Sequence, residues 1–132
     1  MSTHKTDPTR YPQNGAEAVR SFNRATLPTR HGNPGLAYPG QMCRAIGGFE
    51  SLAHRLPQSF DQIAMALADL HHAGHLTADH GTPTQHTEAA VAALHEAEQH
   101  ARAMNEALER AHCATNPLGY CGPMNDDPDD DL

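Results

Sequence analysis

The chain has no tryptophan and only three tyrosines and three phenylalanines. Because aromatic side chains bury the largest areas, any core here must be built from leucine, isoleucine, methionine and alanine. The chain has no apolar run near the ~18 residues of a membrane span and does not begin with a charged-then-apolar leader. We therefore expect a cytoplasmic protein without a membrane partner. Lysine occurs once against eight arginines, and alanine is abundant, a composition typical of a GC-rich bacterial genome.

Sequence motifs for catalysis are also lacking. The chain contains no GxSxG, no P-loop, no GxGxxG opening a βα unit and no HExxH. Its three cysteines cannot all pair within one chain, and no CxxC occurs, so we expect reduced thiols rather than a zinc site. These absences predict a protein that is not an enzyme, with no evident small-molecule substrate and no resident cofactor.

Proline and glycine, 20 residues together, set the expected organisation. They concentrate before Gly48 and after Pro117, where they interrupt regular structure. We predict an extended or disordered arm over residues 1–44, with a short helix at 16–24. Residues 45–115 are expected to form the helical part, and residues 116–132 an acidic tail that ends in NDDPDDDL and is disordered from Asn125 onward.

The first helical stretch shows apolar residues at steps of three or four, the spacing of one helical face. These residues are Phe49, Leu52, Leu56, Phe60, Ile63, Leu67 and Leu70. Pro57 interrupts the run because it lacks an N–H and its ring clashes with the preceding turn. Ser59, with Gln62 three residues on, has the pattern of a fresh N-cap. The sequence thus predicts two collinear or kinked helices, about 46–56 and 60–73.

The second helical stretch follows a turn at 74–81. Thr82, Pro83 and Gln85 have the pattern of a capping box with proline at the first helical position. The helix is expected to run from Pro83 to about Cys113. Small and apolar residues recur along it at alternating steps of four and three, which indicates a heptad seam. The seam consists of Ala90, Leu94, Ala97, Ala101, Met104, Leu108 and Ala111.

These patterns predict an all-α fold in which two helical arms form an antiparallel hairpin. The outline resembles the WXG family of small helical hairpins exported by type VII secretion. That family carries Trp-x-Gly in its turn, whereas this turn has only Gly74 and Gly81, so no function is transferred. Two helices leave part of each apolar stripe open. We therefore expect self-association into a four-helix bundle, or docking on another protein, through the seam and through Phe60, Ile63, Leu67 and Leu70.

Eleven histidines are the most unusual feature of the composition. Four of them cluster near the turn, at His71, His72, His75 and His80. Imidazoles four residues apart on one helix face suit zinc or another transition metal, but Gly74 is expected to end the helix between His71 and His75. A solvated polar loop is the simpler interpretation. A metal-binding protein is therefore kept as the first alternative function.

The net charge of −7 is unevenly distributed. Residues 1–60 carry seven basic and three acidic side chains, whereas residues 61–132 carry two basic and thirteen acidic ones. A regulator whose basic arm contacts nucleic acid is a second alternative, although the acidic half would repel phosphate. The leading hypothesis is a non-catalytic interaction or accessory protein that acts through its helical hairpin as a homodimer or on a protein partner.

Overall fold

The computed structural model describes residues 7–123, which form three helices. Helix α1 spans Arg10–Ala25, α2 spans Pro39–His72 and α3 spans Pro83–Thr115. Within this part of the chain there is no strand, and the β-type pairing is confined to one isolated bridge between Thr29 and Gly32. The prediction of an all-helical chain is confirmed. The predicted acidic tail lies outside the described residues from position 124 onward.

The front of the chain is more helical than the proline content suggested. The expected helix at 16–24 lies inside α1, which begins six residues earlier, so the prediction of an extended arm is wrong over residues 10–15. It is also wrong over residues 39–44, because α2 begins at Pro39 rather than near residue 45. Pro12 is tolerated because it lies in the first turn, where backbone N–H groups have no partner within the helix. Just before α1, Asp7 accepts hydrogen bonds from the hydroxyl and backbone N–H of Thr9, at 2.8 and 3.0 Å. The side-chain bond, and then the backbone bond, lower the pKa of the Asp7 carboxyl.

Helix α2 is continuous through Pro57, which is buried. The predicted division into helices at 46–56 and 60–73 is therefore wrong, whereas a bend at Pro57 stays a prediction. Ser59 does not cap a new helix, since its hydroxyl donates to the carbonyl of Arg55 at 3.4 Å. Proline inside a helix removes one backbone hydrogen bond. Here the burial of its ring on the inner face of α2 offsets part of that cost.

The turn between α2 and α3 follows the sequence prediction closely. Gly74 adopts φ +75°, and the N–H of His75 donates to the carbonyl of Leu70 at 3.0 Å, which closes the end of α2. At the start of α3, Gln85 N–H donates to the Thr82 hydroxyl at 3.1 Å, and Thr82 N–H donates to the Gln85 side chain at 3.2 Å. The predicted capping box is thus confirmed.

Helices α2 and α3 lie side by side in opposite directions. Glu50 in the first half of α2 bonds His112 near the end of α3, and His71 near the end of α2 lies 3.3 Å from the Thr84 hydroxyl. Between these two contacts the buried side chains are all small. They are Ala53, Pro57 and Ala64 on α2 and Thr87 and Ala101 on α3. The two backbones approach closely, and no large side chain of the described residues is fully buried.

Most of the predicted seam on α3 faces α2. Ala101 is buried, whereas Met104 is 43% exposed. The other five members, Ala90, Leu94, Ala97, Leu108 and Ala111, are half-buried. On α2 the apolar stripe divides: Phe60 and Leu67 are half-buried, but Ile63 and Leu70 are exposed. The proline and alanines of α2 take the inner position, so its large apolar residues are displaced to one side.

The segment that follows α3 contacts the residues just before α2. The rings of Tyr38 and Tyr120 lie edge to face with centroids 4.9 Å apart, which places the segment after α3 against the start of α2. None of the three helices in the described part of the chain is long and apolar enough to cross a membrane.

Candidate functional site

The pair formed by α2 and α3 has two different sides. Relative to buried Ala64, Asp61 is turned about 60° to one side of α2 and Ile63 about 100° to the other. Relative to buried Ala101, Glu98 is turned about 60° one way around α3 and Met104 about 60° the other way. Asp61 and Glu98 lie together in one cluster. Ile63 and Met104 must therefore both lie on the opposite side of the pair.

We call that opposite side the apolar side. On α2 it carries the exposed residues Leu52, Ile63 and Leu70. They are separated by eleven and seven residues, close to three and two full turns, and so form one row. Three large aliphatic side chains in a row on a small protein are uncommon on a surface that faces only water. The row is the clearest candidate for an interaction surface.

On α3 the apolar side carries small residues instead. Ala93, Ala97, Met104 and Ala111 follow one another at steps of four and seven and form the matching row. Ala93 and Met104 are exposed, whereas Ala97 and Ala111 are half-buried. The apolar side thus combines a ridge of branched side chains on α2 with a shallow row of alanines on α3.

Helix α1 covers only the first part of this side. The rings of Phe22 and Phe49 meet edge to face with centroids 5.2 Å apart. Around them, α1 and α2 border an apolar groove that ends at Leu52. No residue of α1 is buried, so the helix rests on α2 through a few side chains. Ile63 and Leu70 lie beyond it and remain uncovered by the described residues.

The other side of the pair carries mainly charged and polar side chains, with Met65 as an exposed apolar residue; we call it the polar side. Here Asp61 of α2 meets His95 and Glu98 of α3, and one potential ligand atom from each lies within 4.8 Å of the others. Glu98 is the most enclosed of the three side chains, and one of its oxygens accepts a hydrogen bond from Arg102 at 2.9 Å. We call these three residues the Asp–His–Glu cluster.

Nearer the start of α2, a second histidine–carboxylate pair lies on the polar side. His112 Nδ1 is 2.8 Å from Glu50 Oε2, and both side chains are partly exposed. The pair borders a shallow groove whose lining residues include His54, Asn105 and Glu109. Because it joins residues 62 positions apart, the pair fixes the register between α2 and α3 at this end.

The histidines that the sequence proposed as metal ligands are arranged differently. His71 is half-buried at the end of α2, 3.3 Å from the Thr84 hydroxyl, and His72 and His75 are exposed. His80 stacks on His86 with ring centroids 5.0 Å apart. Within residues 7–123 the Asp–His–Glu cluster is the group of three ligands that comes together, and no such group includes the four turn histidines. A metal site at the turn stays a prediction.

The Asp–His–Glu cluster was not among the sites predicted from the sequence. His95 and Glu98 are three residues apart, a spacing that places two ligands on one helix face. Asp61, however, belongs to another helix, and its approach depends on the register between α2 and α3. That register is fixed by contacts such as Glu50–His112, which no local pattern in the sequence announces.

A comparison with protein-family models, curated proteins and solved structures returned no match. The features of this chain that bear on function are therefore the two sides of the α2–α3 pair.

Proposed function

We propose that the chain is a non-catalytic interaction protein that pairs with a second copy of itself through the apolar side of an α2–α3 hairpin. In the resulting dimer, α2 and α3 of the two copies form a four-helix bundle. The observation that carries the proposal is the exposed row of Leu52, Ile63 and Leu70 beside a fully buried core made only of small residues. A second copy would supply the large apolar contacts that the single chain lacks.

The exposed area supports a pairing of this size. The chain exposes 10607 Å² in total, whereas a compact monomer of 14.3 kDa exposes about 6,800 Å². The fifteen residues outside the described part cannot account for more than about 2,500 Å² even at the value for an unfolded chain. Once that contribution is subtracted, the described residues expose on the order of 2,000 Å² more than a compact protein of the same mass would expose. An ordinary dimer interface covers about 800 Å² on each partner.

The shape of the apolar side favours a second copy as the occupant. A two-fold axis brings the same patch of both copies together. If the axis runs parallel to the helices, α2 of one copy lies against α3 of the other. The aliphatic ridge of α2 then meets the alanine row of α3 twice in the same interface. Large residues packing into a row of small ones is the arrangement by which helices interdigitate closely.

Ile63→Glu tests this proposal. Ile63 is 54% exposed, so the variant should fold, yet in the dimer the carboxylate would be buried without a partner. The matched control is Met65→Glu on the same helix. Met65 is 58% exposed and lies about 200° away around α2, toward the polar side.

Sedimentation velocity at tens of micromolar should give a dimer for the wild-type protein and for Met65→Glu. Ile63→Glu should sediment as a monomer with unchanged helical circular dichroism at low concentration. A wild-type protein that is monomeric at this concentration would refute self-pairing. So would two variants that dissociate to the same extent, since the loss would then follow from added charge rather than from one side of α2.

A further inference from the structure

We propose that Asp61, His95 and Glu98 form a binding site for a divalent transition metal, of which Zn²⁺ is the representative probe. The metal would link α2 to α3 on the polar side. The inference does not rest on self-pairing, because the Asp–His–Glu cluster lies on the side of the pair opposite Ile63 and Met104.

The geometry requires little adjustment. The three ligand atoms already lie within 4.8 Å of one another. Around a tetrahedral zinc with bonds near 2.1 Å, ligand atoms are about 3.4 Å apart. Within the described chain Asp61 and His95 make no hydrogen bond or ion pair that would have to break for them to approach a metal. The backbone beneath them is held by the buried residues Ala64 and Ala101.

The donor set selects the class of metal. One imidazole nitrogen with two carboxylate oxygens suits zinc and its transition-metal neighbours, whereas Ca²⁺ and Mg²⁺ prefer oxygen ligands throughout. Three protein ligands leave a fourth position for water. His95 must be neutral to coordinate, so binding should release a proton wherever the histidine is charged beforehand.

The charges around the cluster also favour a cation. Carboxylates from two different helices lie near each other here, and a bound cation would offset their mutual repulsion. Arg102 neutralises part of this charge and holds one oxygen of Glu98 in place at 2.9 Å, while the second oxygen of the same carboxylate can bind metal. Such outer hydrogen bonds orient metal ligands.

Zinc titration of the full chain by calorimetry tests the site. The turn histidines would bind zinc loosely, so the titration uses a background variant in which His71, His72, His75 and His80 are replaced by glutamine. In this background we expect one saturable Zn²⁺ site per chain. His95→Gln and, separately, Asp61→Asn should each weaken binding by about tenfold or more, since each removes one of three ligands.

The matched control is His100→Gln. His100 also lies beside a carboxylate on α3, 3.5 Å from Glu96, but no third ligand from α2 joins that pair. The control should bind zinc as the background does. Equal weakening by His95→Gln and His100→Gln would overturn the proposal and indicate loose binding to surface histidines. A background variant without saturable binding would overturn it as well.

A second measurement distinguishes zinc that bridges α2 and α3 from zinc that binds to α3 alone. Zinc held by all three residues should raise the melting temperature of the wild-type chain, since it binds the folded state in preference to the unfolded one. Asp61→Asn should remove most of that increase. If Asp61→Asn keeps the full zinc-dependent increase, α2 contributes no ligand and the proposed site is wrong.

Discussion

Replacing Ala101 by leucine would probe the close contact between α2 and α3 directly. Ala101 is 4% exposed and sits midway along α3, where the facing buried residues of α2 are alanines and a proline. Leucine adds three carbon atoms at this point. Helix axes can lie about 8 Å apart over small residues and about 10 Å apart over large ones. The variant must therefore either separate the helices or force the new side chain into a strained rotamer.

The magnitude follows from the shared interface. Moving two packed helices apart by 0.5–1 Å sacrifices roughly a quarter to a half of the dispersion energy of each contact along the seam. Burial of the added carbons, at about 0.8 kcal/mol each, recovers only part of this loss. Overpacked cores are typically destabilised by about 1–3 kcal/mol. For a chain of this size, that corresponds to a fall in Tm of roughly 4–15 °C.

Thermal and urea unfolding followed by circular dichroism would measure the effect, with all proteins at one fixed concentration because self-pairing would also raise stability. The control is Ala103→Leu, the same substitution two residues later at an exposed position. Alanine and leucine have similar helix propensities, so the control should stay within about 0.5 kcal/mol of the wild type. If Ala101→Leu were as stable as the control, the helices could not be in close contact at Ala101.

Two further substitutions test the ends and the middle of the helices. Thr82→Ala should lower the free energy of unfolding by about 1 kcal/mol in urea, because the N–H of Gln85 loses its acceptor, whereas Thr82→Ser should retain most of it. Pro57→Ala should raise the free energy of unfolding by about 1 kcal/mol. The higher helix propensity of alanine contributes about 3 kcal/mol. Against it stand about 1.6 kcal/mol for the two buried carbons that are lost and about 0.5 kcal/mol for the greater freedom of the unfolded chain. A destabilised Pro57→Ala would mean that the buried ring contributes more packing than its area suggests.

Features with a local cause could be predicted from the sequence. The cap at Thr82 depends on residues within three positions along the chain. The left-handed conformation of Gly74 depends on the turn that ends α2. Pro12 and Pro57 led to wrong predictions because each was taken to interrupt a helix. One lies in a first helical turn, where its missing N–H has no consequence, and the other gains from burial.

The orientation of α2 could not be predicted in the same way. Spacing alone indicates that Leu52, Ile63 and Leu70 share a stripe with Phe60 and Leu67, but it does not say which edge of a wide stripe faces the partner helix. In the structure, Ala53, Pro57 and Ala64 take the inner position, because small residues allow the backbones to approach most closely. The Asp–His–Glu cluster depends on this same rotation and was missed for the same reason.

The rotation of α2 is also what makes the two proposals separable. Had the large aliphatic residues faced α3, the single chain would have had an ordinary core, and Asp61 would have been turned away from His95 and Glu98. With alanines inside, α2 presents Ile63 on one side of the pair and Asp61 on the other, about 160° apart around the helix. A charge at Ile63 therefore acts on self-pairing without touching a metal ligand. The loss of the Asp61 carboxylate acts on zinc binding without touching the apolar side.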